Sequence, residues 1–118
     1  MASASRLFTR GGLLATGVAH FALPHVYEPL VPDELPAARA LVYASGVAEV
    51  ATALAAWHPR TRRVGRWLGL ATMAGVFPTH LHMLARSQRW PRVPRWAMWG
   101  RLPLQAVFCW WIWADTRA

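Results

Sequence analysis

At 118 residues the chain has room for one domain, and 55% apolar with 15% charged residues set it on the membrane side of the usual classes, since a soluble domain is about a quarter charged. Thirteen arginines and no lysine stand against five acids, a net charge of +8; because the arginines flank apolar runs as headgroup anchors do, nucleic acid is excluded as partner and the lipid bilayer is expected. The single cysteine, Cys109, excludes an intramolecular disulfide and a Cys-x-x-Cys redox pair.

Residues 1–10 are small, polar and basic, with Arg6 and Arg10 ahead of an apolar run from Gly11 to Tyr27. The pattern has the layout of a secretory signal, but no small-x-small cleavage site precedes a polar start, so a retained first span is expected. That run is short for about 30 Å of hydrocarbon at 1.5 Å per residue, so Leu7 and Phe8 extend the span to 7–27. The connector from Glu28 to Pro36, EPLVPDELP, carries three acids and three prolines. It reads as an ordered turn or short lid, with Asp33 or Pro36 marking entry to the next helix.

The second span, 37–57, is alanine-rich, and Ala44, Gly46, Ala48 and Ala51 suit close helix contact. Glu49 lies near its middle. Pro59 ends it, and the turn His58 to Arg66 holds four arginines. The third span, 67–85, contains Pro78, His80 and His82. A second basic connector, RSQRWPRVPR, leads to the fourth span, 96–114, with Trp96 and Trp99 at one end and Trp110, Trp111 and Trp113 at the other, the two-belt placement of indoles at interfaces. The expected fold is all-α, an integral membrane four-helix bundle forming a single domain over 1–118. Arginine counts of seven against five for the two sides favour cytoplasmic termini.

Ionisable side chains inside spans cost free energy that leucine would not, which makes them the candidate functional residues. They are His20, Glu49, His80, His82 and Arg101, joined by Gln105 one turn from Arg101 and by Tyr43 on the polar side of the second helix. Counting rise along alternating helices sets His20, His80 and Arg101 roughly 7 to 11 Å below one surface and Glu49 deeper, roughly 18 Å in. A pocket open toward the acidic and second basic connectors, with Glu49 at its floor, is the simplest joint arrangement. Each residue also has a purely structural role open to it: Glu49 paired with Arg101, His20 as a neutral interhelical hydrogen-bonding group, His80 and His82 shallow enough to meet headgroups and water.

No metal site is expected. His20, Glu49 and His80 are suitable ligand types, but His80 and His82, two residues apart on a helix, point about 200° from each other. A quinone asks for less, a flat apolar cavity with protonatable groups at its carbonyls. His80, Glu49 and Arg101 would serve, with Phe77 and the tryptophans as walls. The chain offers no flavin, haem or thiol motif, so electrons would come through a redox partner subunit or a diffusible quinone.

The ordered set Gly17-Val-Ala-His20-Phe21, Pro32 to Pro36, Arg39-Ala-Leu-Val-Tyr43-Ala-Ser-Gly46-Val-Ala-Glu49, Pro59-Arg-Thr-Arg62, Val76-Phe77-Pro78-Thr-His80-Leu-His82-Met83 and Arg101-Leu-Pro103-Leu-Gln105 resembles the DoxX-like family of small bacterial membrane proteins. The resemblance covers roughly residues 14–113. It implies a four-helix bundle in the bacterial inner membrane; some relatives are associated with thiosulfate and quinone oxidation or with membrane oxidoreductase complexes. It supplies no catalytic residue. The resulting expectation is a redox-linked, quinone-associated membrane subunit, with a non-catalytic scaffold or a small carrier or proton-conducting protein as alternatives.

Overall fold

The computed structural model describes residues 2–31, 35–86, 88 and 90–117. The described residues with regular structure are all helical: α1 (Ala2–Arg6), a π-helical turn (Leu7–Gly12), α2 (Leu13–Ala22), α3 (Pro24–Tyr27), a 3₁₀ turn (Glu28–Leu30), α4 (Ala38–Trp57), α5 (Arg62–Ala85) and α6 (Arg95–Thr116). The backbone stays helical through the junctions at Arg6, Gly12 and Leu13, so α1, the π turn and α2 form one rod of about 31 Å at 1.5 Å per residue.

Each expected span contains a long helix, and the boundaries differ for local reasons. The first was expected to run to Tyr27 but breaks at Leu23 (φ −131°, ψ 53°), because the ring of Pro24 disfavours the α conformation of the residue before it. The same rule places His58, ahead of Pro59, in extended backbone and ends α4 at Trp57. Helix α5 begins at Arg62 rather than 67, since arginine is a good helix former even where hydropathy is low. Entry to α4 comes through Ala37, a left-handed residue at φ 55°, which costs an L-alanine about 1–2 kcal/mol. Pro36 directly precedes it, while Asp33, the other proposed marker, lies outside the described residues.

Four rods close into a ring. The first packs on α4, α4 on α5, α5 on α6, and α6 back on α1 and the π turn. Arg10 of the π turn donates to Asp115 at 3.0 Å and lies over the Trp57 ring, and Arg66 donates to the Thr116 carbonyl at 2.8 Å. Both chain ends and the turn at 58–61 therefore share one end of the bundle. A small core of Leu13, Ala53, Met73 and Ile112 lies between the rods, with Phe8, Leu70 and Phe108 against it.

Helices this thin leave much apolar surface outside. Val18, Val47, Leu54, Val64, Trp67, Leu81, Trp96 and Trp110 are exposed. Helix α4 is long and apolar enough to cross a membrane, and only 33% of its apolar stretch is buried within the protein.

The first rod and α4 approach closest at Gly17 and Gly46. A Cβ on Gly46 would stand 2.8 Å from His20 Cβ and 3.0 Å from the Gly17 carbonyl oxygen, and one on Gly17 would stand 2.7 Å from Val50 Cγ2. Of the small residues expected at this contact, Gly46 makes the crossing, whereas Ala44 is exposed. Gly46→Ala should destabilise the purified protein by about 1–3 kcal/mol through overpacking. Gly100→Ala, where a Cβ meets nothing within 4 Å, should be neutral or stabilising by up to about 1 kcal/mol from helix propensity. Thermal unfolding of the two variants checks the contrast, and equal losses would remove the crossing from the account.

Candidate functional site

Thr16 and His20 stand one turn apart on α2 and so share a face. Gly17 beside them brings α4 close enough for Glu49, three residues after Gly46, to reach that face. Glu49 is 6% exposed and His20 8%. The Thr16 hydroxyl donates to Glu49 Oε1, and His20 Nε2 lies 3.3 Å from Glu49 Oε2.

The protonation pattern of this trio follows from its geometry. His20 Nδ1 is 2.6 Å from the Thr16 carbonyl oxygen. A carbonyl only accepts, so Nδ1 carries a hydrogen and Nε2 is the nitrogen facing the carboxyl group. The Nε2–Oε2 contact is then favourable with one proton between the two atoms, held either as imidazolium with carboxylate or as imidazole with carboxylic acid. In both forms the pair sums to zero charge. Tyr27 of α3 stacks on the His20 ring, with centroids 4.0 Å apart, and holds its plane.

Helices α5 and α6 supply the opposite side. Arg101 Nη1 donates to Gln105 Oε1 at 2.9 Å, and its guanidinium lies over the Phe108 ring, 4.7 Å from the centroid. Gln105 in turn donates from Nε2 to the Met73 carbonyl. Pro78 lies inside α5, where a missing N–H loosens the helical ladder one turn back; Gln105 holds α6 against that turn. His80 Nε2 is buried and has no hydrogen-bond partner.

These groups meet in a cavity of about 480 Å³, partly open, with mostly apolar walls. Its lining includes Leu13, Leu30, Val31, Val42, Met73, Val76 and Phe108 alongside Thr16, His20, Tyr27, Glu49, His80 and Arg101. Of the seven residues singled out from the sequence, His20, Glu49, His80 and Arg101 line it. Gln105 stands behind Arg101 as its hydrogen-bond partner. Tyr43 is turned toward Phe21, stacked at 5.3 Å, and His82 lies edge-on to Trp90 at 6.4 Å between centroids. The helical divergence of His80 and His82 is thus observed, since His80 alone of the two lines the cavity.

The structure corrects three details. Glu49 has no ion pair with Arg101 within 4.0 Å; its carboxyl group is taken by Thr16 and His20. Phe77 and the tryptophans were expected as walls, but the aromatic lining is Phe8, Tyr27 and Phe108. The face of α4 turned inward is Val42, Gly46, Glu49, Thr52, Ala53 and Ala56, so Glu49 lies on it while Tyr43, expected on the polar side, is only half-buried. Sequence reasoning also missed Thr16 and Tyr27. The signal for Thr16 was its place one turn before His20, whereas nothing local distinguishes Tyr27. Among the described residues no group of three or more His, Cys, Asp or Glu could hold a metal ion.

Fold and site together define an all-helical protein with a polar-floored cavity between its rods. The chain belongs to the family described as Domain of unknown function (DUF8561), whose model matches residues 10–116. No curated protein and no solved structure matches it.

The geometry predicts which polar groups are energetically coupled. In double-mutant cycles measured by unfolding in mild detergent, His20→Ala with Glu49→Gln should show a coupling above about 0.5 kcal/mol. Arg101→Gln with Glu49→Gln should show less. The reverse order would mean that the carboxyl group turns to the guanidinium instead.

Proposed function

We propose that the chain is a multi-pass protein of the bacterial inner membrane, its rods crossing the bilayer with both termini cytoplasmic, and that its cavity holds a quinone as part of a redox-linked membrane complex. The observation that carries this reading is the cavity itself, an apolar chamber with one protonatable pair on one wall and cationic or imidazole donors on the other. Cavities of a few hundred Å³ with few convergent polar groups are the usual form of small-molecule sites.

Membrane placement is supported by the outward apolar face of α4, by exposed tryptophans toward both ends of α6 and by arginines gathered at the connectors. The redox-linked part draws on the likeness of the motifs to DoxX-like proteins. Reducing a quinone takes two electrons and two protons. A partner subunit with its own redox group supplies the two electrons, the His20–Glu49 pair holds one proton at the cavity wall for one carbonyl oxygen, and solvent at the partly open mouth supplies the second proton to the other.

The test is thermal unfolding of the purified protein with menaquinone and ubiquinone analogues. Saturable stabilisation is expected, about 2.7 kcal/mol at a ligand concentration one hundred times Kd, and it should weaken in Glu49→Gln and in His80→Ala. A folded protein that no quinone stabilises, and that co-purifies with another chain, would move the assignment to a non-catalytic scaffold.

A further inference from the structure

Among the described residues each carboxyl group has a cation or imidazole of its own: Glu28 with Arg39 at 3.1 Å, Asp115 with Arg10 at 3.0 Å, and Glu49 with His20 at 3.3 Å. Asp33 and Glu34 lie outside the described residues. Among the described residues Arg101 has no such partner within 4.0 Å. Its hydrogen bond goes to the neutral Gln105 and its face rests on Phe108.

The Glu49–His20 pair does not alter this balance. With the Nδ1 hydrogen on the Thr16 carbonyl, a second proton held between Nε2 and Oε2 gives the pair no net charge. Arg101 is thus half-buried beside apolar walls with no carboxylate in contact among the described residues, where an unpaired ion is costly. His80, on the same lining, adds a ring nitrogen that has no hydrogen-bond partner. A neutral ligand would leave the guanidinium without a counter-charge; an anion would supply it with a charge-assisted hydrogen bond.

We infer that the cavity binds its ligand as a monoanionic amphiphile, with the anionic oxygen on Arg101 and His80 and the apolar body against Val42, Met73 and Phe108. The inference rests on the reading of the cavity as a membrane-facing small-molecule site and specifies the charge of what it takes. An aromatic enolate of a hydroxylated quinone satisfies both readings, and a long-chain carboxylate satisfies this one alone.

The test uses a matched pair, a 2-hydroxy-3-alkyl-1,4-naphthoquinone, ionised at neutral pH, and its 2-methoxy ether, which is neutral. Dissociation constants are read from tryptophan quenching on the full chain in zwitterionic nanodiscs, with a long-chain carboxylate tested as a competitor. Wild type should prefer the enolate over the ether by about tenfold or more, the size of one charge-assisted hydrogen bond. Arg101→Gln should lose that preference with little change in ether affinity, and Arg101→Lys should keep part of it. Unfolding curves confirm that both variants remain folded, and if Arg101→Gln does not fold, the lysine variant and the wild-type preference decide the matter. Equal affinity of wild type for both compounds would overturn the inference and leave the quinone reading standing. Saturable thermal stabilisation by the carboxylate itself, with no binding of either quinone, would sustain the inference and defeat the quinone reading. Binding of none of the three would defeat both.

Discussion

The close crossing of the first rod and α4 at Gly17 and Gly46 is the constraint on which the site depends. Backbone meets backbone there with no side chain between them, and Cβ positions would stand under 3.0 Å from their neighbours. One turn along α2 from the crossing comes His20, and three residues along α4 comes Glu49. A larger residue at either glycine would push the rods apart and lengthen the contact between the His20 imidazole and the Glu49 carboxyl group. Small residues at helix contacts are usually discussed as a source of packing; here the packing also sets a chemical distance.

The opposite wall rests on a different device. Pro78 removes one backbone bond from α5 beside the cavity, and Gln105 ties α6 to the preceding turn by donating to the Met73 carbonyl while accepting from Arg101. A neutral amide thus connects a loosened helix to a cation. The guanidinium is oriented without being neutralised, a useful state for a group that meets a ligand and an expensive one for a group serving only the fold. The far end of the bundle shows the contrasting solution, in which Arg10 and Asp115 satisfy each other directly and Arg66 holds the Thr116 carbonyl. Among the described residues the two ends therefore differ in kind, one closed by matched charges and the other with a guanidinium that no carboxylate contacts beside a chamber.

The distribution of apolar surface ties this arrangement to its surroundings. A core built on Leu13, Ala53, Met73 and Ile112 is small for a chain of this length, while valines, leucines and tryptophans point outward. In the membrane reading lipid covers that surface, and the low permittivity around the rods strengthens the penalty on any unpaired ion between them. In that reading, placement in the bilayer and a preference for an anion would follow from the same solvent.

The positions of the four long helices were legible in the sequence because hydropathy and proline act locally: Pro59 ends α4 wherever the rest of the chain goes, and the alanine-rich run from 38 to 57 reads as helix without reference to a partner. The depth argument likewise brought His20, Glu49, His80 and Arg101 into one half of the bundle, since rise per residue is fixed by the helix itself. Rotation about each helix axis was not legible. Whether Glu49 meets Arg101 or His20, whether Tyr43 or Thr16 faces inward, and whether Phe77 or Phe108 forms the wall all depend on how far each rod is turned, and that is set by the glycine crossing and the widened π turn acting together. Sequence by itself determined the helices and the depth of their polar groups; only the tertiary structure decided the partners, because a hydrogen bond requires an angular match between helices that neither helix encodes alone.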